Sequence, residues 1–581
     1  MAFNNLVERS NVLVIGCGGA GLRAAIEVRE NALSVKILGK RKKNDAHTVL
    51  AAGGINAAFG NLDSNDCWEQ HFADTFIEGY GISDPKCIEI MARNAMARVL
   101  EIDKWGGNLD KLANGKFNQR YFGAHTFRRT CFSGDYTGQS IQNALLNRAT
   151  SLKIPIFDEE YVTELLISED TCYGALSFNI NSGKRTVHLA DSTIICTGGH
   201  TRIWEKSSSR AQENLGDGFA LALKAGCELI DMEMVQFHPT GMLFPENMVG
   251  TLVTEAVRGE GGILLNNAGE RFMTNYDNKR MELSTRDRIA RANYTEIFEG
   301  RGTDRGGVYL DISHKKKEFI LSKIPRIYQQ FLEYQDLDIS KEPMEVAPTA
   351  HYSMGGIYVN ASNHKTNIEG LYAAGEVAGG LHGANRLGGN SLAEILVFGK
   401  ISGKSASSYS KSLNTRINPD EIIRIAHCNL DRVFEEEIYN IDNMQNDLRC
   451  IMWECCGVVK NHKDLKKGLE KIEQLKLSSK KINGVNKNYD LKKIVNLLDF
   501  KSSLLTAEST LKCSLLRNES RGAHFRSDFS ESKNKIYNLK IKLEGDNLIT
   551  SKISHKKMDN RLNIFIKNTC EISNFSKKLI E

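Results

Sequence analysis

The 581-residue chain is too long for one core, and its length predicts about four units of ~150 residues each, with the 41% hydrophobic and 25% charged composition of an ordinary globular protein. A net charge of +5, spread along the chain, is too small to argue for nucleic-acid binding; no apolar segment in MAFNNLVERS suggests secretion, and no window approaches the roughly 18 apolar residues of a membrane span. The 13 cysteines are odd in number and lack CxxC or His–Cys ligand spacing, which predicts reduced thiols and no metal bound by this chain.

The first element is Asn11 to Arg23, NVLVIGCGGAGLR. Val12 to Ile15 has the length and β-branching of a buried parallel strand, and LRAAIEVRE after it reads as a helix. Between them Gly16, Gly18 and Gly21 form GxGxxG, a tight turn that lets backbone, Gly19 and Ala20 included, approach a dinucleotide pyrophosphate at a helix N-terminus. The next strand, Val35 to Leu38, ends in Gly39-Lys40 rather than in the acid of an NAD site, which counts against a free NAD site; the rest of the chain points to FAD. His47 and Thr48 follow on a loop, ahead of Gly53-Gly54, whose small neighbours suit backbone lying against a flat ligand. Taken alone, His47 is an ordinary surface histidine.

Asp66 to Gly106 is predicted as two helical pieces broken near Gly79 to Asp84, and Thr137 as the N-cap of a helix through Leu146. Val162 to Ile167, Gly174 to Ile180 and Thr186 to Leu189 read as short antiparallel strands, and Ser192 to Thr197 as a buried one. NLGDG (Asn214 to Gly218) leads into a helix over Phe219 to Ala225. From about Gln236 to Pro348 the pattern becomes mixed and polar, and the dinucleotide-type pattern returns at AHYSMGGIYV and GLYAAGEVAGG. One unit interrupted by another is predicted, with a ligand cleft between them. After Ser412 the chain turns helical. Asn418-Pro419 caps a helix from Asp420; Met444, Leu448 and Ile451 recur at helical spacing; Lys460 to Lys501 reads as a solvated lysine-rich helical face; a third helix covers Leu504 to Leu516. Near the end, Lys540 to Leu543 and Leu562 to Lys567 read as short β runs. The fold class predicted is α/β. A Rossmann-like FAD domain (1–235 and 349–412) is interrupted by an α+β capping domain (236–348) and followed by a helical domain (413–520) and a small C-terminal α+β region (521–581).

These motifs together resemble the flavoprotein subunit of succinate dehydrogenase and fumarate reductase, a family that also includes L-aspartate oxidase. GCGGAG, HTVLAAGGINAA, FHPTG, LVTEAVRGEGG, TRDRIAR, HYSMGGI, GLYAAGE, HGANRLGGNSL and ESRGAHFRSDF fall in family order from Asn11 to Asp528. The resemblance implies FAD attached covalently through His47 of the His-Thr pair. It also implies that Lys40, Asp217, Glu376, Ser391 and Leu392 contact the cofactor, with Glu376 on the ribose. Ala52 stands where the family has Gln or Glu before the glycine pair.

For a C4 dicarboxylate, the resemblance makes His238, Thr254, His351 and Arg386 substrate-binding, Arg386 being suited to a bidentate carboxylate clamp. It makes Arg286 the residue that exchanges the substrate proton, relayed through Glu255 and Arg258. Those two are three apart in TEAVRGE, so a helix there puts them on one face. An arginine is an unusual acid–base group because it deprotonates with difficulty. The family's other parts are an iron–sulfur protein, a membrane anchor on the cytoplasmic side (or its mitochondrial-matrix equivalent) and a quinone. This chain has no clustered cysteines to hold iron–sulfur centres itself. Two rival readings are a soluble L-aspartate oxidase, against which His47 counts, and a flavin-binding assembly subunit without turnover, against which the complete residue set counts. After Asp528 the family's tryptophan-containing continuation is replaced by SESKNKIYNLKIK.

Overall fold

The computed structural model describes residues 6–414, 419–434, 440–480, 490–556 and 558–573. Strand Leu6–Ile15 pairs in parallel with Val35–Gly39 on one side and Arg185–Ile195 on the other, at the centre of a seven-stranded sheet. Val12, Leu13 and Val14 are fully buried, as a strand covered on both faces requires. Helix Gly19–Glu30 covers one face together with Asn390–Ser412, the helix that follows the chain's return to this sheet.

The two strands predicted at Thr186 to Leu189 and Ser192 to Thr197 are one, Arg185–Ile195. Its first half pairs antiparallel with Thr171–Asn179, and its last three residues pair in parallel with Leu371–Ala373. The polar Asp191 at the change of neighbour made it read as two. Glu160–Ser168 completes the antiparallel edge.

A second sheet is entirely antiparallel and contains Val235–Met242, Met344–Ser353, Val308–Asp311 and Ile263–Leu265. Its outer strands in sequence, Val235–Met242 and Met344–Ser353, lie side by side, so the chain leaves and returns at one place. His238 pairs with Thr349, two residues from His351, and the two histidine rings meet edge-on with centroids 5.3 Å apart.

The helices predicted near Asp66 to Gly106 are Trp68–Glu78 and Pro85–Lys104, the second capped by the Asp84 side chain. Thr137 is the first residue of its helix, not its cap: Tyr136 precedes it, and the Thr137 hydroxyl accepts instead from the Ser133 N–H at 3.1 Å. Pro419 precedes helix Asp420–Phe434, whereas Asn418 lies outside the described residues. Met444, Leu448 and Ile451 lie on helix Ile441–Cys455.

Two further expectations fail. The third helix begins at Leu491, not Leu504, and runs to Leu516 with the Asp490 side chain as its cap. The stretch Lys460 to Lys501 is therefore not one solvated face: Lys463, Lys466 and Lys467 are exposed on His462–Lys480, but Lys460, Ile494, Val495, Leu497, Asp499 and Phe500 are buried. The second failure is Leu562 to Lys567, which forms a turn and then helix Asn563–Ser573. Alternation of Leu562, Ile564 and Ile566 suggested a strand. The buried set is instead Leu562, Ile566 and Cys570, every fourth residue, packed toward Trp68–Glu78, while Ile564 is exposed. The strand Tyr537–Glu544 contains the other predicted run and joins a sheet through Leu229–Ile230, which stitches the C-terminal segment to the body of the chain.

Candidate functional site

Strand Leu6–Ile15 ends at Gly16, whose φ of 113° admits only glycine in practice. A Cβ at Gly16 would lie 2.1 Å from the Cys196 carbonyl oxygen, and one at Gly21 would lie 1.9 Å from the Gly16 oxygen. Strand and helix are thus as close as backbone allows. Gly19 donates its N–H to Thr48 Oγ1 at 3.0 Å, so one first-turn donor is taken by the His47–Leu50 turn, and Gly18, Gly19 and Ala20 line a cavity. His47 and Thr48, expected on a loop, sit on that single 3₁₀ turn.

The cavity, about 290 Å³, is lined by Gly16, Gly18, Gly19, Ala20, Lys40, His47, Thr48, Gly53, Gly54, Asp217, Glu376, Ser391 and Leu392. The same cavity reaches His238, Thr254, Glu255, Arg286, His351 and Arg386 from the second sheet and its surroundings. Two nominated residues are set back from its wall. Gly21 lies under the turn, and Arg258 is buried behind Glu255, donating to the Glu282 carbonyl oxygen at 2.7 Å.

At one end, Lys40 Nζ lies 2.8 Å from Asp217 Oδ2 and 2.6 Å from Asp499 Oδ1, and Tyr161 donates to the same Asp499 oxygen at 2.9 Å. Burial pushes the Asp499 carboxyl up to about 6 against the pull of Lys40. Asp499 was missed because it sits in the lysine-rich run. Gly53 is closed off by Phe122, which a Cβ there would approach to 2.7 Å, and Arg120 donates to the Gly53 oxygen at 2.9 Å.

At the other end the charged groups interlock. Arg286 places Nη2 at 2.7 Å and Nε at 2.8 Å from Glu255 Oε2. The second carboxylate oxygen accepts the Gly123 N–H at 3.0 Å. Burial favours the neutral carboxyl, but Arg286 and Arg258 overcome it and hold Glu255 down at about 2. Glu255 immediately precedes a helix of only four residues, Ala256–Gly259, and Arg258 is the third residue in it. Gln236 Oε1 accepts from Arg286 Nη1 at 3.1 Å and from Arg386 Nη2 at 3.0 Å, so one amide oxygen spaces two guanidinium groups. Its own Nε2 donates to Asn385 Oδ1 at 2.8 Å and to the Arg386 oxygen at 2.9 Å. Gln236 was not nominated from sequence. The signal was available: residues 236 and 238 share a face of one strand.

Arg386 also donates to Ser391 Oγ at 3.2 Å and stands 4.2 Å from the Tyr352 ring centroid. Burial, with Arg286 nearby, lowers its pKa to about 10. Burial and the arginines push His238 and His351 well below the ordinary histidine value, so both are neutral. This end of the cavity therefore offers two fixed cations, two neutral imidazoles and one ionised carboxylate. Two cations held apart in this way suit an anion with a carboxylate at each end, and the ionised Glu255 lies beside them.

Two sequence-family models match the chain: one described as an FAD binding domain over residues 11–392, and one as the fumarate reductase flavoprotein C-terminal region over residues 445–563. The chain is 42% identical over 529 residues to one of the subunits of the fumarate reductase (CoM/CoB) of Methanothermobacter marburgensis, covering 90% of this chain and 95% of that one. It is 34% identical to the succinate dehydrogenase flavoprotein subunit of Rickettsia bellii, covering 92% of each. Among solved structures, the quinol fumarate reductase FrdA of E. coli superposes with a TM-score of 0.90 at 30% identity, covering 95% of this chain and 98% of that one.

Proposed function

Since the chain belongs to the family of succinate dehydrogenase and fumarate reductase flavoprotein subunits, which are FAD-dependent oxidoreductases, we propose that it interconverts succinate and fumarate, with FAD joined covalently to His47. The observation that carries this reading is the single cavity whose wall runs from the glycine cradle to the Arg286–Glu255–Arg386 cluster. The cradle fits the cofactor: Gly16, Gly21 and Gly54 hold backbone where any Cβ would collide, and the first-turn N–H groups beside them suit a pyrophosphate. Bound FAD supplies a two-electron acceptor for hydride.

The chain's own residues do the rest. Arg386, His238, His351 and Thr254 hold and polarise the two carboxylates. Arg286 removes a proton from the carbon next to the one losing hydride, or supplies it in the reverse direction. Arginine suits this role only if its proton is replaced at once. Glu255 is coupled to Arg286 for that purpose: while Arg286 is charged, Glu255 is held ionised, and once Arg286 gives up its proton the burial that favours a neutral carboxyl prevails. Glu255 then takes a proton by way of Arg258 and returns it.

Gln236→Leu removes the amide that spaces the two guanidinium groups. Expected is a fall in kcat of about 100-fold, the order set by misplacing a catalytic group by about 1 Å, with bound flavin unchanged; kcat within a factor of two would show that Gln236 does not position the arginines.

Electrons then pass to a separate iron–sulfur protein, and from it to quinone at a membrane anchor. Among the described residues no cluster of His, Cys, Asp or Glu is able to hold a metal, and no helix is long and apolar enough to cross a membrane. One relative favours a second reading of the electron partner, because its name carries CoM/CoB rather than a quinone. The proposal is tested by dye-linked turnover of succinate and of fumarate, set against aspartate with oxygen. Turnover of aspartate alone would assign the chain to L-aspartate oxidase chemistry. Co-purification of an iron–sulfur protein tests the partner.

A further inference from the structure

His47 presents its two ring nitrogens to different surroundings. Nδ1 lies 3.0 Å from Glu213 Oε1. Nε2 has no hydrogen-bond partner among the described residues, and the side chain lines the cavity with 27% of its surface exposed. Glu213 is buried and is itself fixed: Arg210 donates its backbone N–H to Oε1 at 2.7 Å and its Nη2 to Oε2 at 3.0 Å. Arg210 is tied in turn to Asp45, which also pairs with Arg41. A carboxylate so held accepts a hydrogen bond from a protonated Nδ1 in one geometry.

Resting on the covalent reading of His47, we propose that Glu213 is the positioning residue for attachment: it keeps the imidazole proton on Nδ1, directs the Nε2 lone pair at the ring methyl carbon of FAD, and stabilises the positive charge that forms on the imidazole. A carboxylate that fixes a histidine tautomer and stabilises the imidazolium does the same for nucleophilic attack in serine proteases. Atoms and electrons balance as follows. One methyl C–H bond breaks and an Nε2–C bond forms; the methyl and imidazole hydrogens leave as protons. Two electrons pass to the isoalloxazine, which with two protons is left reduced. Fumarate, the two-electron oxidant of the proposed reaction, takes both electrons and two protons to give succinate and restores the oxidised ring.

The groups facing His47 set the pH response. Burial lowers its pKa, but Glu213, with Glu376 behind it, raises it above the ordinary histidine value, against Arg210. His351 also faces it across the cavity. The attacking form is the neutral ring, so attachment speeds up as pH rises through the raised pKa. Loss of the Glu213 charge must move that rise to lower pH while slowing the step.

The test uses the full chain, prepared without flavin and incubated with FAD and fumarate at a series of pH values. Flavin retained in acid-precipitated protein reports attachment, and absorbance of the native protein reports total binding. Wild type is expected to accumulate acid-stable flavin and His47→Ala none. Glu213→Gln should bind FAD equally but attach it on the order of 100-fold more slowly, with its pH midpoint shifted down. Glu213→Asp, which keeps the charge, should recover part of the rate; it serves as the probe if the glutamine variant does not fold, and a rate and pH midpoint indistinguishable from wild type in Glu213→Gln, or an aspartate variant no faster than it, would overturn the role of Glu213 while leaving attachment at His47 standing. Release of all flavin from wild type into acid would remove the covalent reading and this inference with it.

Discussion

Replacing Arg286 with glutamine is expected to reduce both succinate oxidation and fumarate reduction by about 1,000-fold or more, while the protein remains yellow. Glutamine keeps part of the length but cannot carry the positive charge or the two-point contact to Glu255 Oε2 at 2.7 and 2.8 Å. Dicarboxylate binding should fall far less, because Arg386, His238 and His351 remain; shifts of the flavin spectrum on adding a dicarboxylate measure this. Lysine at 286 should restore little, since an ammonium group cannot reach Glu255 and Gln236 together as the guanidinium fork does. The variant also has a pH signature. Glu255 is depressed from 4.5 to about 2, so in the wild type it contributes stability that is complete above its unfolded pKa and lost as pH falls toward 2. Removing Arg286 removes the largest of the charges that lower it, together with its hydrogen bond, and acid unfolding should begin at higher pH. Residual turnover within tenfold of wild type would exclude Arg286 from proton transfer.

Much of this was legible because some residues admit one physical reading. Gly16 and Gly21 occupy places where a side chain collides with backbone, and the strand and helix around them follow from local periodicity. What stayed hidden depends on contacts between segments far apart in sequence. Asp499 reaches Lys40 across 459 residues, and Glu213 reaches His47 across 166. Neither stands in a motif whose spacing announces the other. The lysines around Asp499 made its helix look solvated, although Ile494, Val495, Leu497 and Phe500 supply a buried stripe there. The C-terminal helix was misread for a related reason: a six-residue window fits period two and hides the four-residue recurrence that burial follows.

The largest loss of stability from a single side chain is expected at Arg517, which ends the helix Leu491–Leu516 with no exposed surface. Its Nε lies 2.5 Å from Glu233, its Nη1 2.8 Å from Glu519 and its Nη2 3.3 Å from Asp231. Two of these acids lie between the strands Leu229–Ile230 and Val235–Met242, and the third lies in ESRGAHF, so one guanidinium ties the helix, the sheet turn and the C-terminal segment. Arg517→Leu leaves buried carboxylates with too few cations, at a cost of about 3–5 kcal/mol, a large part of the ~5–15 kcal/mol that stabilises a native protein. Part of that cost is relieved by protonation, which fixes the pH dependence. Burial and Glu233 already raise Asp231 to about 7 against Arg517, so the folded state holds a proton that the unfolded state loses near 3.8, and stability declines as pH rises between those values. Without Arg517 the folded pKa moves higher still and the decline continues past neutrality. Denaturant titration should therefore find the deficit of Arg517→Leu greater at pH 8 than at pH 5, and a deficit below about 1 kcal/mol that does not change with pH would mean the three acids find other partners.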